Sequence, residues 1–409
     1  MTVVRRCLVA SGASLALLVS LAWGAGRAHA GPAPVAGSGA GAAPAVWADG
    51  PGDGMAPAAA PRVAFPSAVT TVPAARPTEW TSYAAPCAPC DPCDTPRRGP
   101  IEVRDGYLLA QPFLTLCPVS PDTLGCGTTS LRIFGTWSNT FGWRQSSAGE
   151  NPVRRSFLVD GESRTIEVIV ARGITNDVDI GVRMPLHWRG GGVSDDWIDT
   201  FHDSLSFLGI SANKRPSFRR DLFRINGRRT DGGTFFADDQ RGSGLGNIEV
   251  FGKWRFRDGG RDGWSWSAIA RATAPTGIAP FDAPGVEGAL QVVGAKRIAD
   301  RWDLFVGVGG IGRTDTEFQG MPFADVVGHA FVAAEYRIGP KWSLIAQSDY
   351  STTLSDGIEI YDKDRWYLDF GAKHDLAHNT TLEMGFVENL ISQQTTVDFG
   401  LHVGIEFRL

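Results

Sequence analysis

Apolar and polar residues alternate with a period of two over most of the C-terminal two thirds of the chain. In "GNIEVFGKWRFR", Ile248, Val250 and Trp254 share one face, whereas Glu249 and Lys253 share the other. A helix would scatter these two sets around its circumference, and only a strand separates them. The pattern therefore predicts β-strands with one apolar face and one charged face.

Twelve segments of this kind follow one another, and the connections between them alternate between short and long. An even number of strands with such connections is typical of an antiparallel up-and-down β-barrel that spans an outer membrane. The segments lie at 131–143, 164–173, 177–188, 244–257, 263–275, 286–298, 301–313, 324–338, 341–355, 364–375, 380–391 and 396–409.

Alternation alone leaves a soluble barrel or sandwich as an alternative, because such a protein has the same period with its apolar face inside. Two features favour a transmembrane barrel with lipid outside. The segments have the length that a tilted strand needs to cross a bilayer. Tryptophans also cluster near strand ends, as in interface girdles, at Trp143, Trp188, Trp264, Trp302, Trp342 and Trp366.

The C-terminal strand gives a third indication of a membrane barrel. Gly404, Phe407 and Leu409 are spaced in a way that resembles the terminal signal read by the outer-membrane barrel assembly machinery. The usual last residue of that signal is Phe, from which Leu409 departs. We expect outer-membrane lipid and this machinery as partners, and the pattern says nothing about oligomeric state.

Three segments precede the barrel at 131–409. Residues 1–30 carry Arg5 and Arg6, an apolar run and a closing Ala-His-Ala, which is the order of a secretory signal peptide. Residues 31–100 are rich in Ala, Pro and Gly, which predicts a disordered periplasmic tether. Residues 101–130 are interpreted as a short lead-in clipped by cysteines. The prediction is export to the cell outer membrane.

Cysteine spacing suggests an oxidising compartment. Cys117 and Cys126 flank a Pro-rich turn, and a disulfide between them is the favoured interpretation. Cys87, Cys90 and Cys93 are compatible with local disulfides in an exposed tether, or with a metal or cluster site that would need a fourth ligand.

The connection from 190 to 209 predicts an amphipathic helix over the barrel mouth. Ser194 suits the N-cap, and apolar residues then recur at helical spacing. A functional interpretation makes this helix a lid or ligand platform, and the alternative is a helix that only braces the mouth. The candidate lid residues are Trp197, Phe201, His202 and Asp203.

The face predicted to point inward carries charges of both signs. Opposite charges in a confined lumen should pair, because an unpaired charge is costly away from bulk water. A selective solute pathway and a salt-bridged structural interior are both compatible with this pattern. The candidate lumen-lining residues are Asp179, Arg183, Glu249, Lys253, Arg255, Arg271, Glu335, Arg337, Asp369, Lys373, Glu383, Glu406 and Arg408.

Enzyme signatures are weak, and we expect no catalytic residue, metal site or cofactor. The chain has no G-x-S-x-G, H-E-x-x-H or Walker sequence, and "GSGLGN" opens a strand rather than a helix. A membrane lipid hydrolase that uses Ser138 and His187 is the least favoured hypothesis. A net charge of -5 argues against nucleic-acid binding.

Residues 131–260 resemble a family of uncharacterised bacterial outer-membrane proteins, domain of unknown function 3187. The similarity lies in "LRIFGTWSNTF", "FLVDGES", "GITNDVDIGVRMPLHWRGGGVSDDWIDTFHDSLSF", "RRDLFRINGR" and "GSGLGNIEV". The resemblance implies an outer-membrane barrel and supplies no activity. The functional expectation is a narrow pore or transport-type channel of unknown solute, with a structural or interaction barrel of the envelope as the alternative.

Overall fold

The computed structural model describes residues 97–144, 157–196, 200, 222–228, 233–236, 240–260, 262–358, 361–389 and 395–409. The predicted signal peptide, nearly all of the predicted tether, and Cys87, Cys90 and Cys93 lie outside the described residues. So do Trp197, Phe201, His202 and Asp203 of the candidate lid.

Twelve long strands form a closed antiparallel ring, in which the last strand pairs with the first. Closure leaves the ring without an open sheet edge. In ring order the strands are β1 (Thr129–Arg144), β2 (Phe157–Gly173), β3 (Val178–Gly190), β7 (Glu249–Arg257), β8 (Ser265–Thr273), β9 (Glu287–Ala299), β10 (Trp302–Arg313), β13 (Val326–Arg337), β14 (Trp342–Ser351), β15 (Arg365–Ala377), β16 (Thr380–Asn389) and β17 (Phe399–Arg408).

Short strands occupy the long connections at one end of the barrel, which we call the loop end; the opposite end is the tight-turn end. β6 pairs with β3, β4 pairs with β2 and with β5, and β11 pairs with β12. The β1–β2 hairpin also continues past the register of β17 at the loop end, because β1 pairs with β17 only as far as Asn139. The short strands are β4 (Arg224–Arg228), β5 (Thr234–Phe236), β6 (Gly242–Leu245), β11 (Glu317–Phe318) and β12 (Met321–Pro322).

The barrel is apolar outside and polar inside, as the sequence predicts. Along β3, Ile180 is 51% exposed and Val182 37%, whereas Asp179 and Arg183 on the other face are almost completely buried. The same alternation recurs in β9 and β14. An apolar exterior around a polar lumen is the arrangement of barrels that span a membrane. None of the helical residues described belongs to a helix long and apolar enough to cross one.

Residues 97–128 lie inside the barrel and are called the plug segment here. The segment starts at the tight-turn end, where Arg98 donates hydrogen bonds to Asp375 and Pro340 O. It reaches the loop end, where Asp105 contacts Arg365, and then returns to the turn at Asn176. The sequence interpretation of this stretch as a short lead-in therefore misses its main feature, which is that it fills the lumen.

The tip of the plug segment shares one hydrophobic core with the loops. Tyr107, Leu108 and Phe113 are buried there against Phe223 and Phe323, among other residues. The ring centroids of Phe113 and Phe323 are 4.4 Å apart. Burial of this apolar surface seals the loop end and stabilises the tip of the plug.

The expected disulfide between Cys117 and Cys126 is wrong, because within the described chain neither sulfur is bonded to the other. Cys117 is buried in a core cluster with Val293 and Phe305 of the wall. The backbone amide of Cys126 instead binds Asn176 in the β2–β3 turn, at 3.2 Å. The plug runs from the middle of the lumen to the rim between the two cysteines.

Candidate functional site: the occupied lumen

Wall side chains hold the ascending half of the plug through its backbone. The Glu335 carboxylate accepts hydrogen bonds from the amides of Arg98 (3.1 Å) and Gly99 (3.0 Å). Gln347 accepts from Ile101 N at 2.9 Å and donates to Ile101 O at 3.0 Å. Lys373 donates hydrogen bonds to the backbone carbonyls of Arg98 and Pro100. These bonds satisfy buried backbone groups that have no strand neighbour.

The descending half of the plug is held in the same way. Glu287 accepts from Leu114 N at 2.6 Å, and Gln291 donates to Cys117 O at 3.0 Å. Lys253 donates to Ser120 O and Asp122 O at 3.1 and 3.0 Å. Asp179 accepts from Leu124 N at 3.1 Å. Polar wall residues on both sides of the barrel are therefore committed to plug backbone.

Charged plug side chains complete an ion-pair network at mid-lumen. Glu102 pairs with Arg132 and lies 3.7 Å from Arg183, and Arg104 lies 3.2 Å from Glu167. Burial by itself raises the pKa of the Glu102 carboxyl, but the nearby guanidiniums of Arg132 and Arg183 hold that pKa below its usual value. Glu102 is therefore ionised at neutral pH, and the plug contributes both signs of charge to the network.

The wall continues this network around the lumen. Arg183 lies 3.3 Å from Glu167 and 3.9 Å from Glu249, which in turn lies 2.7 Å from Arg271. All four side chains are at most 6% exposed as residues. Charges buried to this degree are tolerated because each has an opposite charge beside it.

Little space remains between plug and wall. One cavity, whose lining includes Asp105, Asp349 and Asp369, has a volume of about 20 Å³. A second cavity, beside Arg104 and Phe113, has about 10 Å³. Such volumes hold one or a few water molecules. The plug segment thus occupies the lumen between the described strands.

Comparison with known proteins places this plugged barrel in a family. The model of a family described as a protein of unknown function (DUF3187) matches residues 94–409, which includes the plug segment as well as the barrel. The chain belongs to this family. No curated protein matches the chain.

Several solved barrels resemble the chain in outline. The COG4313 outer membrane channel from Pseudomonas putida F1 is 14% identical, with a TM-score of 0.49 over 72% of this chain and 100% of that chain. The KdgM porin is 7% identical, with a TM-score of 0.35 over 68% and 98%. The translocator domain of the autotransporter NalP from Neisseria meningitidis is 12% identical, with a TM-score of 0.37 over 70% and 89%.

Most of the candidate lumen-lining residues of this DUF3187 chain are on the inward face. Arg255 and Arg408 are at the tight-turn rim, where they pair with Asp177 and Glu406. The inward residues contact the plug, one another or, for Arg337 and Asp369, the wall residues Asp303 and Gln347: Asp179, Arg183, Glu249, Lys253, Arg271, Glu335, Arg337, Asp369, Lys373 and Glu383.

The start of the predicted outer-loop helix is visible. Asp195 and Asp196 are helical, and Ser194 precedes them as predicted for an N-cap. The Glu162 carboxylate accepts hydrogen bonds from the amides of Val193 and Ser194, both at 2.8 Å. This contact anchors the loop to β2. The lid hypothesis itself concerns residues outside the described part of the chain.

Ser138 and His187 do not form the lipid-facing pair that the hydrolase hypothesis needs. Both side chains are buried and point into the lumen, where His187 Nδ1 lies 2.9 Å from Thr165 Oγ1 and Ser138 packs against Gly106. The arrangement offers no lipid-accessible nucleophile at these two positions.

Sequence reasoning missed the plug as part of the site. Its apolar run, "YLLAQPFLTLCPV", is denser in Leu and Phe than the Ala/Pro/Gly-rich stretch before it. A linker gains nothing from such residues, whereas a segment that packs inside a protein does. That change of composition is the signal that could have revealed a buried role.

Proposed function

We propose that the protein is an outer-membrane channel that is closed by its own plug segment and conducts a solute after the plug has moved. The observation that carries this proposal is the way in which the plug is held. Away from its tip, hydrogen bonds and ion pairs from wall side chains bind the plug backbone and charges, beside the apolar contacts that Leu116, Cys117 and Val119 make with the wall. Water can replace such bonds at a modest net cost for each.

The path of the plug also supports displacement. The segment enters and leaves the lumen at the tight-turn end, near Arg98 and Cys126. A hairpin inserted through one opening can withdraw through that opening without breaking any pairing of the barrel strands. The charged wall residues would then line a hydrated path, as the lumens of larger barrels do.

Location in the outer membrane is part of the same proposal. It is supported by the apolar exterior, by the even number of antiparallel strands, and by the signal peptide expected at residues 1–30. The disordered periplasmic tether was expected at 31–100, but residues 97–100 already belong to the plug. The rest of the expected tether would lead directly into the plug at the tight-turn end.

A structural barrel of the envelope is the second candidate. The observation that favours it is the hydrophobic core at the loop end, which joins the plug tip to Phe223, Phe323 and Tyr361. A plug that is fixed permanently by this core would make the barrel an anchor rather than a channel.

Conductance across a planar bilayer tests the channel proposal. The full chain is compared with a double variant, Glu335→Ala with Lys373→Met, which removes the wall side chains that bind the plug backbone at residues 98–100. We expect little current from the parent and a clear increase in open-channel events from the variant.

The matched control is Asp177→Ala with Arg255→Ala, which removes an ion pair of the rim and should leave conductance at the parental level. Heat-modifiable electrophoretic mobility shows whether each barrel is folded. A folded double variant without current would overturn the channel proposal and favour the structural barrel.

A further inference from the structure

A buried arginine at the loop end lacks the acidic partner that other lumen arginines have. Arg189 is 5% exposed, and no ion pair joins it to a carboxylate of the described residues. Its Nε donates to Gln111 Oε1 at 2.5 Å and its Nη1 donates to Gln240 Oε1 at 2.8 Å. Its Nη2 is buried with no hydrogen-bond partner.

Other buried arginines of the lumen, unlike Arg189, each have a carboxylate beside them. Arg271 lies 2.7 Å from Glu249, and Arg313 lies 2.7 Å from Glu287. A buried guanidinium without a counter-charge is costly, and two neutral amides compensate only part of that cost. The fork of an arginine matches a carboxylate with two parallel hydrogen bonds. The unused donor therefore points to a missing anionic group.

The surroundings of Arg189 provide further binding features. The ring of Phe281 lies 5.2 Å from the guanidinium carbon. His187 stacks on the same ring at 6.4 Å and keeps a buried Nε2 with no partner. An apolar ring beside one cation and one free imidazole nitrogen suits a small organic acid better than a bare inorganic ion.

The two amides that face Arg189 belong to different parts of the barrel. Gln111 is in the plug, where it also donates to Thr165 Oγ1 at 3.2 Å. Gln240 is in the outer loops and donates to Gln319 Oε1 at 2.5 Å. Gln319 has a φ of 53°, which is costly for a residue other than glycine. Arg189 thus ties the plug tip to a strained outer loop.

We propose that Arg189 is the binding residue for the carboxylate of a small organic solute, which takes the place of the Gln111 side chain and frees the tip of the plug. This inference rests on the proposed channel function, because it assigns a solute class and a trigger to that channel. Phe281 packs against the apolar body of the solute.

Ligand binding to the purified full-length barrel in detergent is the test, with benzoate as the probe and thermal unfolding as the readout. A ligand that binds the folded state raises the melting temperature. Benzoate should raise it, whereas the neutral benzyl alcohol and inorganic phosphate should not. In Arg189→Gln the benzoate affinity should fall about tenfold or more, because a charge-assisted pair is lost.

Two further variants make the result specific to this site. Arg164→Gln removes a half-exposed arginine from the other face of the neighbouring strand and should leave the benzoate response unchanged. Gln111→Glu places a carboxylate beside Arg189, and we expect a higher melting temperature without ligand and no response to benzoate. An equal benzoate response in the parent and in Arg189→Gln, or none in the parent, would overturn the inference.

The binding test does not depend on current. Benzoate binding that requires Arg189, found together with a plug-loosened variant that carries no current, would leave a ligand site on a barrel that is no channel. Current without benzoate binding would keep the channel and remove the role assigned to Arg189.

Discussion

Close contacts between the plug and the barrel depend on individual glycines. A Cβ placed at Gly106 would lie 2.0 Å from Ser138 Oγ and 2.6 Å from Ser138 Cβ. On β16, two strands away in the ring, Ile101 occupies the space where a side chain of Gly385 would begin. The absence of these side chains lets the plug lie directly on the wall.

Gly106→Ala should therefore destabilise the seated plug by about 1 to 3 kcal/mol, the usual cost of overpacking. Measurement of the free energy of unfolding in detergent or lipid checks this value. Ser138→Gly removes the clashing atoms, so the double variant should recover much of the loss. An additive effect of the two changes would contradict the contact.

Cys117 provides a pH-dependent probe of the plug. Burial raises the pKa of its thiol from 9.0 to about 11. Because the folded state favours the neutral thiol, its contribution to stability is complete below about pH 9 and is lost as the pH rises through about 11. At pH 8 only about one thiol in a thousand is ionised, and the thiolate is the reactive form.

We expect Cys117 in the folded protein to resist maleimide at pH 8 and to react after denaturation. Peptide mass spectrometry reports the label on this residue separately from that on Cys126. Rapid labelling of Cys117 in the folded, closed protein would contradict its burial in the lumen.

At the scale of elements, the strands and the plug are stabilised in different ways. The strands pair with each other around the ring, and their side chains pack on one side only. Before Gly127, where the plug begins to pair with the end of β2, its backbone depends on wall side chains such as Gln347 and Glu335. Changes to those side chains should therefore affect the plug more than the barrel.

Gln347→Leu tests this separation. It leaves both backbone groups of Ile101 without partners, at about 1 to 3 kcal/mol for each buried group that stays unsatisfied. We expect faster proteolysis within the plug, and a barrel that still migrates as folded in heat-modifiable electrophoresis. Leu344→Ala, on the outer face of the same strand, is the control and should not change proteolysis of the plug.

At the scale of the whole molecule, the outward direction of the apolar strand side chains determines whether lipid or water surrounds the barrel. Val308, at the middle of β10, is 56% exposed and points outward, whereas Phe305 of the same strand is completely buried inside. An outer surface of this kind is suited to lipid rather than water.

Val308→Arg should reduce the stability of the barrel in lipid vesicles by roughly 2 to 4 kcal/mol, the cost of an arginine that faces the bilayer midplane. Equilibrium unfolding from vesicles gives the value. Val193→Arg, in a connection at the loop end where Val193 is 70% exposed, should have little effect. Equal, small effects of both changes would show that water rather than lipid surrounds the strands.

The sequence by itself determined the barrel. Alternation of apolar and polar residues is a local property of each strand, so the segment predicted at 286–298 corresponds to Glu287–Ala299 in the structure. The number of strands and their apolar outward face follow from the same local pattern. The predicted strand ends were less accurate than the predicted strands. β2 begins at Phe157 rather than at 164, because its pairing with β1 continues beyond the rim of the barrel at the loop end.

Only the tertiary structure decided what occupies the lumen. The contacts of the plug join residues far apart in the chain, such as Ile101 with Gln347 and Cys117 with Gln291. No local pattern encodes such partners, since any inward polar side chain could bind water, another wall residue or a backbone group. For the same reason, the short spacing of Cys117 and Cys126 suggested a disulfide, whereas the path of the plug puts one in the wall core and the other at the rim.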